Sequence, residues 1–199
     1  MKIFRFGLGT WIFAFLILAP SLLTAGDATN QLSATIDDFV PIITNIPSAE
    51  FQANGLPESA RKLVLARFDF SEMTRRSLGW HWNSLNQGEQ QQFVEAFTQR
   101  QLTYYGKTVR SSARETVQFR REVQDGQDMY VETRIVTRFG EDLPINYWLH
   151  SVNGQWKVYD MVIDHVDLAK NFRAQFERVI AKSSLKELLE RMKDQSPGS

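Results

Sequence analysis

The chain has 199 residues, with 23 basic and 23 acidic side chains and no cysteine. Balanced charge offers no concentrated basic face for nucleic-acid phosphates, and the missing thiols exclude disulfides, thiol catalysis and a lipid-modified N-terminal cysteine. With 14 Phe, 5 Trp and 5 Tyr, the composition is that of a folded domain rather than a disordered chain.

Residues 1–25 read as an export signal. Lys2 and Arg5 give a positive start, Phe6–Ala19 is almost wholly apolar, and Leu23-Thr24-Ala25 supplies small residues at a cleavage point. A cut after Ala28 fits nearly as well. As a membrane anchor the apolar run is short, and no basic stop-transfer sequence follows. Without Lys2 and Arg5 the balance is 21 basic to 23 acidic residues. An exported chain without disulfides suits a bacterial periplasm, and residues 26–199 suffice for a single domain with a sizeable core.

Leu32, Ile36, Phe39, Val40 and Ile43 place one apolar face on a helix over Asn30–Ile46, with Pro41 expected to kink it. A linker over Pro47–Pro57 leads to a short helix, Glu58–Arg67. Ser71 is the expected N-cap and Gly79 the stop of the next helix, whose Phe70, Met73 and Leu78 share a side. Asn86 and Glu89 have capping-box spacing before a longer helix with an expected buried stripe of Phe93, Phe97, Tyr104 and Tyr105.

From Thr116 the period becomes two. Val117, Phe119, Arg121 and Val123 alternate with Gln118, Arg120 and Glu122. After a turn at Asp125-Gly126, Val131, Thr133, Ile135 and Thr137 form the next face. Another turn at Gly140–Asp142 precedes Leu143, Ile145, Tyr147 and Leu149, with Asn146, Trp148 and His150 opposite. Asn153-Gly154 then turns the chain into a strand over Trp156–Val166. Within one residue the spacing becomes helical, with Asp167 as N-cap and Leu168, Phe172, Phe176, Val179 and Ile180 on one face. A closing helix, Ser183–Lys193, carries Leu185, Leu188, Leu189 and Met192. Four antiparallel strands with helices before and after them define an α+β fold.

Catalytic signatures are sparse. His81, His150 and His165 lack metal-ligand spacing, and neither a Gly-rich phosphate loop nor a GxSxG elbow is present. Asp160 interrupts an apolar strand and is therefore the best candidate for a buried carboxylate, placed as a general base would be. The simpler reading is a structural carboxylate bonded to backbone or to an arginine such as Arg173. His165 reads as a solvated strand-end residue or a contact at a pocket rim. No catalytic residue, metal or cofactor is assigned.

Two runs carry a family resemblance. WKVYDMVIDHVDLAKNFRAQF, Trp156–Phe176, resembles the C-terminal signature of MlaC-type periplasmic lipid-binding proteins, the toluene-tolerance auxiliary family. RFDFSEMTRRSLGWHWNSLNQGEQQQFVEAF, Arg67–Phe97, is similar to that family's D-F-x-x-M-x-R-x-x-L-G-x-x-W motif and the helix after it. Order and spacing agree over roughly residues 30–193. His165 stands in place of the usual Gly, Asp167 of Ser or Asn, and Phe172 of Tyr.

The resemblance implies a cone of NTF2-like appearance, a strongly curved four-stranded sheet covered by helices around an apolar cavity. It implies no enzymatic activity. The cavity would take glycerophospholipid acyl chains, each buried methylene contributing about 0.8 kcal/mol. Its floor would be Val131, Ile135, Ile145, Tyr147, Leu149 and Val158, and its walls Phe70, Met73, Phe93, Phe97, Phe172 and Phe176. The implied partners are an inner-membrane ABC transporter with an MCE ring and an outer-membrane lipoprotein/porin complex, with the carrier itself a monomer. Three other readings stay open: a carrier of a hopanoid or other polycyclic lipid, a small isomerase or hydrolase using Asp160, and an interaction protein with a filled core.

Overall fold

The structure, a computed structural model, describes residues 26–47, 49–51, 55–112, 116–136 and 142–194, and within 105–112 the backbone alone. The leader, the Tyr105 side chain, Thr137, Arg138 and the Gly140 turn lie outside the described residues.

Helix α1 (Asp27–Asn45) continues through Pro41. Its N-terminus has no side-chain cap of its own. The Glu122 carboxylate fills that role from the sheet, accepting from Gly26 N at 2.7 Å and Thr29 N at 2.8 Å. Helices α2 (Glu58–Arg67) and α3 (Phe70–Leu78) are separated by an extended link at Phe68 and Asp69. The N-cap of α3 is Asp69, whose Oδ1 accepts from Glu72 N at 2.9 Å, and not the expected Ser71. The helix therefore starts two residues early, at Phe70. A 3₁₀ turn (Gly79–Ser84) leads into the long helix α4 (Gln87–Ser112), which opens on the expected reciprocal box between Asn86 and Glu89. Tyr104 leaves the stripe predicted for it and is 64% exposed.

The sheet is an antiparallel meander in sequence order: β1 (Thr116–Asp125), β2 (Asp128–Val136), β3 (Asp142–Val152), β4 (Gln155–Ile163) and a short fifth strand, β5 (Val166–Asp167). The expected strand Trp156–Val166 thus breaks at Asp164-His165, a two-residue turn with φ of 47° and 65°. Ile163 pairs with Val166 across it, as in a tight I′-like hairpin. His165 stands in a left-handed conformation at the position where the resembled pattern carries Gly.

Two bulges bend the sheet. One, between Phe119 and Arg121, shifts the alternation so that Glu122 rather than Arg121 shares a face with Val131. This shift brings Glu122 to the N-terminus of α1. The other, opposite Trp148/Leu149, leaves Tyr159 as the extra residue of β4. On the inner face Met129 pairs with Leu149, Val131 with Tyr147, and Tyr147 with Met161.

Helices α5 (Leu168–Lys182) and α6 (Leu185–Asp194) close the molecule. Asp167 caps α5 as expected, accepting from Lys170 N at 2.9 Å. Asp160 adds a second tie, with Oδ1 accepting from Met161 N at 2.8 Å and Ala169 N at 3.1 Å. Among the described residues no helix is long and apolar enough to cross a membrane.

Two predictions follow from this backbone. Gly79 has φ 59°, and a Cβ there would meet Arg173 Nε at 2.8 Å. Gly79→Ala is therefore expected to cost about 1–3 kcal/mol, lowering the melting temperature by several degrees. His165→Gly relieves a left-handed L-residue and is expected to stabilise by about 0.5–1 kcal/mol, read as a higher urea midpoint at unchanged m-value.

Candidate functional site

Of the twelve residues expected to line a cavity, ten are buried and Ile135 and Phe172 are half-buried. They divide into two layers. The sheet cluster contains Val131, Ile145, Tyr147, Leu149 and Val158 with Ile135 packed against it. The helix cluster contains Phe70, Met73, Phe93, Phe97 and Phe176. Phe68 and Phe172 pack against both and form the seam. Phe172 meets Phe97 edge-on at 5.2 Å and stacks with Phe176 at 6.0 Å, while Phe68 stacks on Phe70 at 5.8 Å. The seam residues are thus aromatic and stack into the helix cluster while packing against the sheet.

Few polar groups enter these layers. Thr133 is 1% exposed and donates to Ile145 O at 2.5 Å. The Tyr147 hydroxyl, bonded to Thr133, is pushed up to about 12 by burial, so it stays protonated. Trp156 is buried in the sheet cluster.

On the outer face of the sheet lies a groove of about 730 Å³, which contains none of the twelve. Tyr130 and Trp148, cross-strand partners with rings 4.6 Å apart, stand in it with Asp160, the strand partner of Trp148. The β4 bulge turns Tyr159 to this side too. The Tyr159 hydroxyl donates to Asp128 at 2.7 Å, and the Arg76 guanidinium lies 4.0 Å above its ring. Arg173 does not reach Asp160. It donates to Arg76 O at 2.7 and 3.2 Å, tying α5 to α3. His165 sits at the groove's edge, exposed. Sequence alternation had placed Trp148 here, but the convergence of Tyr159 and Asp160 depends on the bulge, which no local pattern signals.

Asp160 is bonded to backbone through Oδ1, the contact the simpler reading expected. Burial, with the Asp167 charge beside it, raises its pKa to about 6 despite the two backbone donors. The other two histidines have carboxylate partners: His150 Nε2 meets Asp69 Oδ2 at 3.0 Å and His81 Nε2 meets Glu177 Oε2 at 3.2 Å. Asp69 thereby links the start of α3 to β3. Among the described residues no group of three or more His, Asp or Glu is arranged to hold a metal ion.

The raised Asp160 pKa fixes a sign. The folded state holds that proton more tightly than the unfolded chain, whose Asp titrates near ~3.9. Its contribution to stability is therefore full below the unfolded value and falls as pH rises through about 6. Asp160→Asn removes the titration. The melting-temperature difference, wild type minus variant, is expected to decrease between pH 4 and pH 7 in paired thermal scans.

A solved structure titled as the phospholipid-binding protein from Ralstonia solanacearum in complex with a phospholipid superposes with TM-score 0.72 at 22% identity, over 85% of this chain and 96% of that one. At that identity the match shows a shared fold. The toluene tolerance protein ttg2D of Pseudomonas putida is 25% identical over 89 residues, a stretch covering 44% of this chain and 41% of that protein's length. The family model described as MlaC protein matches residues 33–194, spanning α1 to α6. The chain belongs to the MlaC family.

Proposed function

We propose that this protein is a periplasmic carrier of glycerophospholipid, exported by cleavage of residues 1–25 and holding acyl chains between its two apolar layers. The observation that carries this reading is the seam. Phe68 and Phe172 pack against both layers, and the backbone tie between them is local, Asp69 N donating to Val158 O at 2.8 Å beside the Phe68–Val158 bridge. Away from that tie the layers meet through apolar side chains, so parting them there exposes apolar surface on two sides without breaking a strand ladder. A ligand of methylene groups refills that space, at about 0.8 kcal/mol per buried methylene. Val131, Ile135, Ile145, Tyr147, Leu149 and Val158 form the floor. Phe70, Met73, Phe93, Phe97, Phe172 and Phe176 form the walls. The phospholipid in the Ralstonia solanacearum relative supports the choice of cargo.

The head group stays in water, so affinity comes from the chains and needs no charged clamp. Loading and release occur on docking to an inner-membrane ABC transporter with an MCE ring and to an outer-membrane lipoprotein/porin complex. Energy for direction comes from the transporter, since this sequence has no phosphate-binding loop. An enzymatic role for Asp160 is disfavoured because its Oδ1 is engaged by two backbone N–H groups in the wall of a different site.

Native mass spectrometry of the protein purified from periplasm, followed by solvent extraction, tests the reading. A stoichiometric adduct extracting as phospholipid is expected. A hopanoid-like mass would transfer the proposal to polycyclic cargo. Protein that is bare, and stays bare after incubation with liposomes, would sink it. Phe172→Glu places a charge on the seam and is expected to lower retained lipid about tenfold, with the far-UV circular dichroism unchanged.

A further inference from the structure

Trp156 is 4% exposed, and its indole Nε1 is the one buried side-chain nitrogen or oxygen among the described residues without a hydrogen-bond partner. Its backbone has no such deficit. Trp156 N donates to Gln31 Oε1 at 3.0 Å, and its carbonyl accepts from Arg67 Nη1. The ring belongs to the sheet cluster, with Ala28, Leu32, Leu149 and Val158 among the members. A phenylalanine would fill such a place without leaving a donor unmet, and a buried tryptophan ordinarily finds an acceptor for its N–H. Every other buried polar group of this interior that the structure describes has one: Thr133 reaches a carbonyl, and Tyr147 reaches Thr133.

We infer that Trp156 Nε1 is a ligand-reading donor, made to pair with a neutral acceptor oxygen of the bound lipid, the carbonyl of an acyl ester. The inference rests on the carrier reading above. The chemistry selects the acceptor. Acyl methylenes offer none, and the head group stays in water. Ester carbonyls lie between the two and are uncharged, so they enter an apolar surround at lower cost than a phosphate. Arg67, which bonds the Trp156 carbonyl, also donates to Thr35 Oγ1 and Gln31 Oε1 and so serves the backbone and α1. The indole donor therefore adds discrimination by head-to-chain linkage to an interior that otherwise reads only shape and apolarity. A site built to hydrogen-bond a group rejects the analogue lacking it, because the donor is left unpaired.

The test offers the mature protein an equimolar mixture of diester and diether phospholipids, with the same head group and chain length, in vesicles. Native mass spectrometry reads the ratio taken up. Wild type is expected to favour the diester about tenfold, and Trp156→Phe to take both within about twofold while still binding lipid. In ¹⁵N-labelled wild type the Trp156 indole resonance is expected to move downfield with the diester and not with the diether, a readout that does not depend on the variant's folding. Equal uptake by wild type, an unchanged preference in a folded variant, or an indole resonance indifferent to linkage would overturn the inference and leave the carrier reading standing. Uptake of neither lipid would overturn both.

Discussion

Strand β4 has β3 on one side and, for most of its length, no strand on the other. An open edge of this kind exposes backbone donors and acceptors that must be met by other parts of the chain. Here α1 and the α2–α3 link meet them. Gln31 takes the Trp156 N–H, Arg67 gives to the Trp156 carbonyl, Asp69 N donates to Val158 O at 2.8 Å, and Phe68 forms a parallel bridge with Val158. Beyond that point β5 takes over and Asp160 holds the first turn of α5. One edge therefore anchors helices from both ends of the sequence. Burial of the Arg67 guanidinium is the cost, and it lowers that group's pKa.

That anchoring leaves a division of labour between the two faces of the sheet. The inner face is apolar and lies under a helical layer joined to it by aromatic rings at Phe68 and Phe172. The outer face carries the groove, where Tyr159 sits between Arg76 and Asp128. Helices held at their ends by hydrogen bonds, and along their lengths by apolar contact, suit the proposed role, in which the interior admits a flexible guest. Hydrogen bonds are directional and discrete, whereas apolar contact re-forms with whatever surface is offered.

Much of this was legible in the chain. The strand alternation placed Val131, Ile145, Tyr147 and Leu149 together on the buried face, and the Asn86/Glu89 and Asp167 caps occur where the spacing put them. Misses fall where long-range contacts outweigh local preference. Ser71 has a capping side chain, but Asp69 is fixed by both the Val158 carbonyl and His150, so the helix begins after Asp69. Tyr104 continues the period of Phe93 and Phe97, yet it turns outward to solvent. A bulge inverts the Arg121/Glu122 alternation because the N-terminus of α1 needs a carboxylate.

The sequence by itself determined the α+β class, the order of the main elements, most of the inward faces and, through two long motifs, the family. Those properties depend on periodicity and on neighbours within a few residues, which a single chain displays directly. Tertiary structure decided that the apolar residues form two layers with a seam, that Asp160 is spent on backbone, and that one indole N–H is left unmet. Each of these concerns whether a polar or apolar group finds a partner distant in the chain. Local pattern says which groups are buried, and only the folded arrangement says what they are buried against.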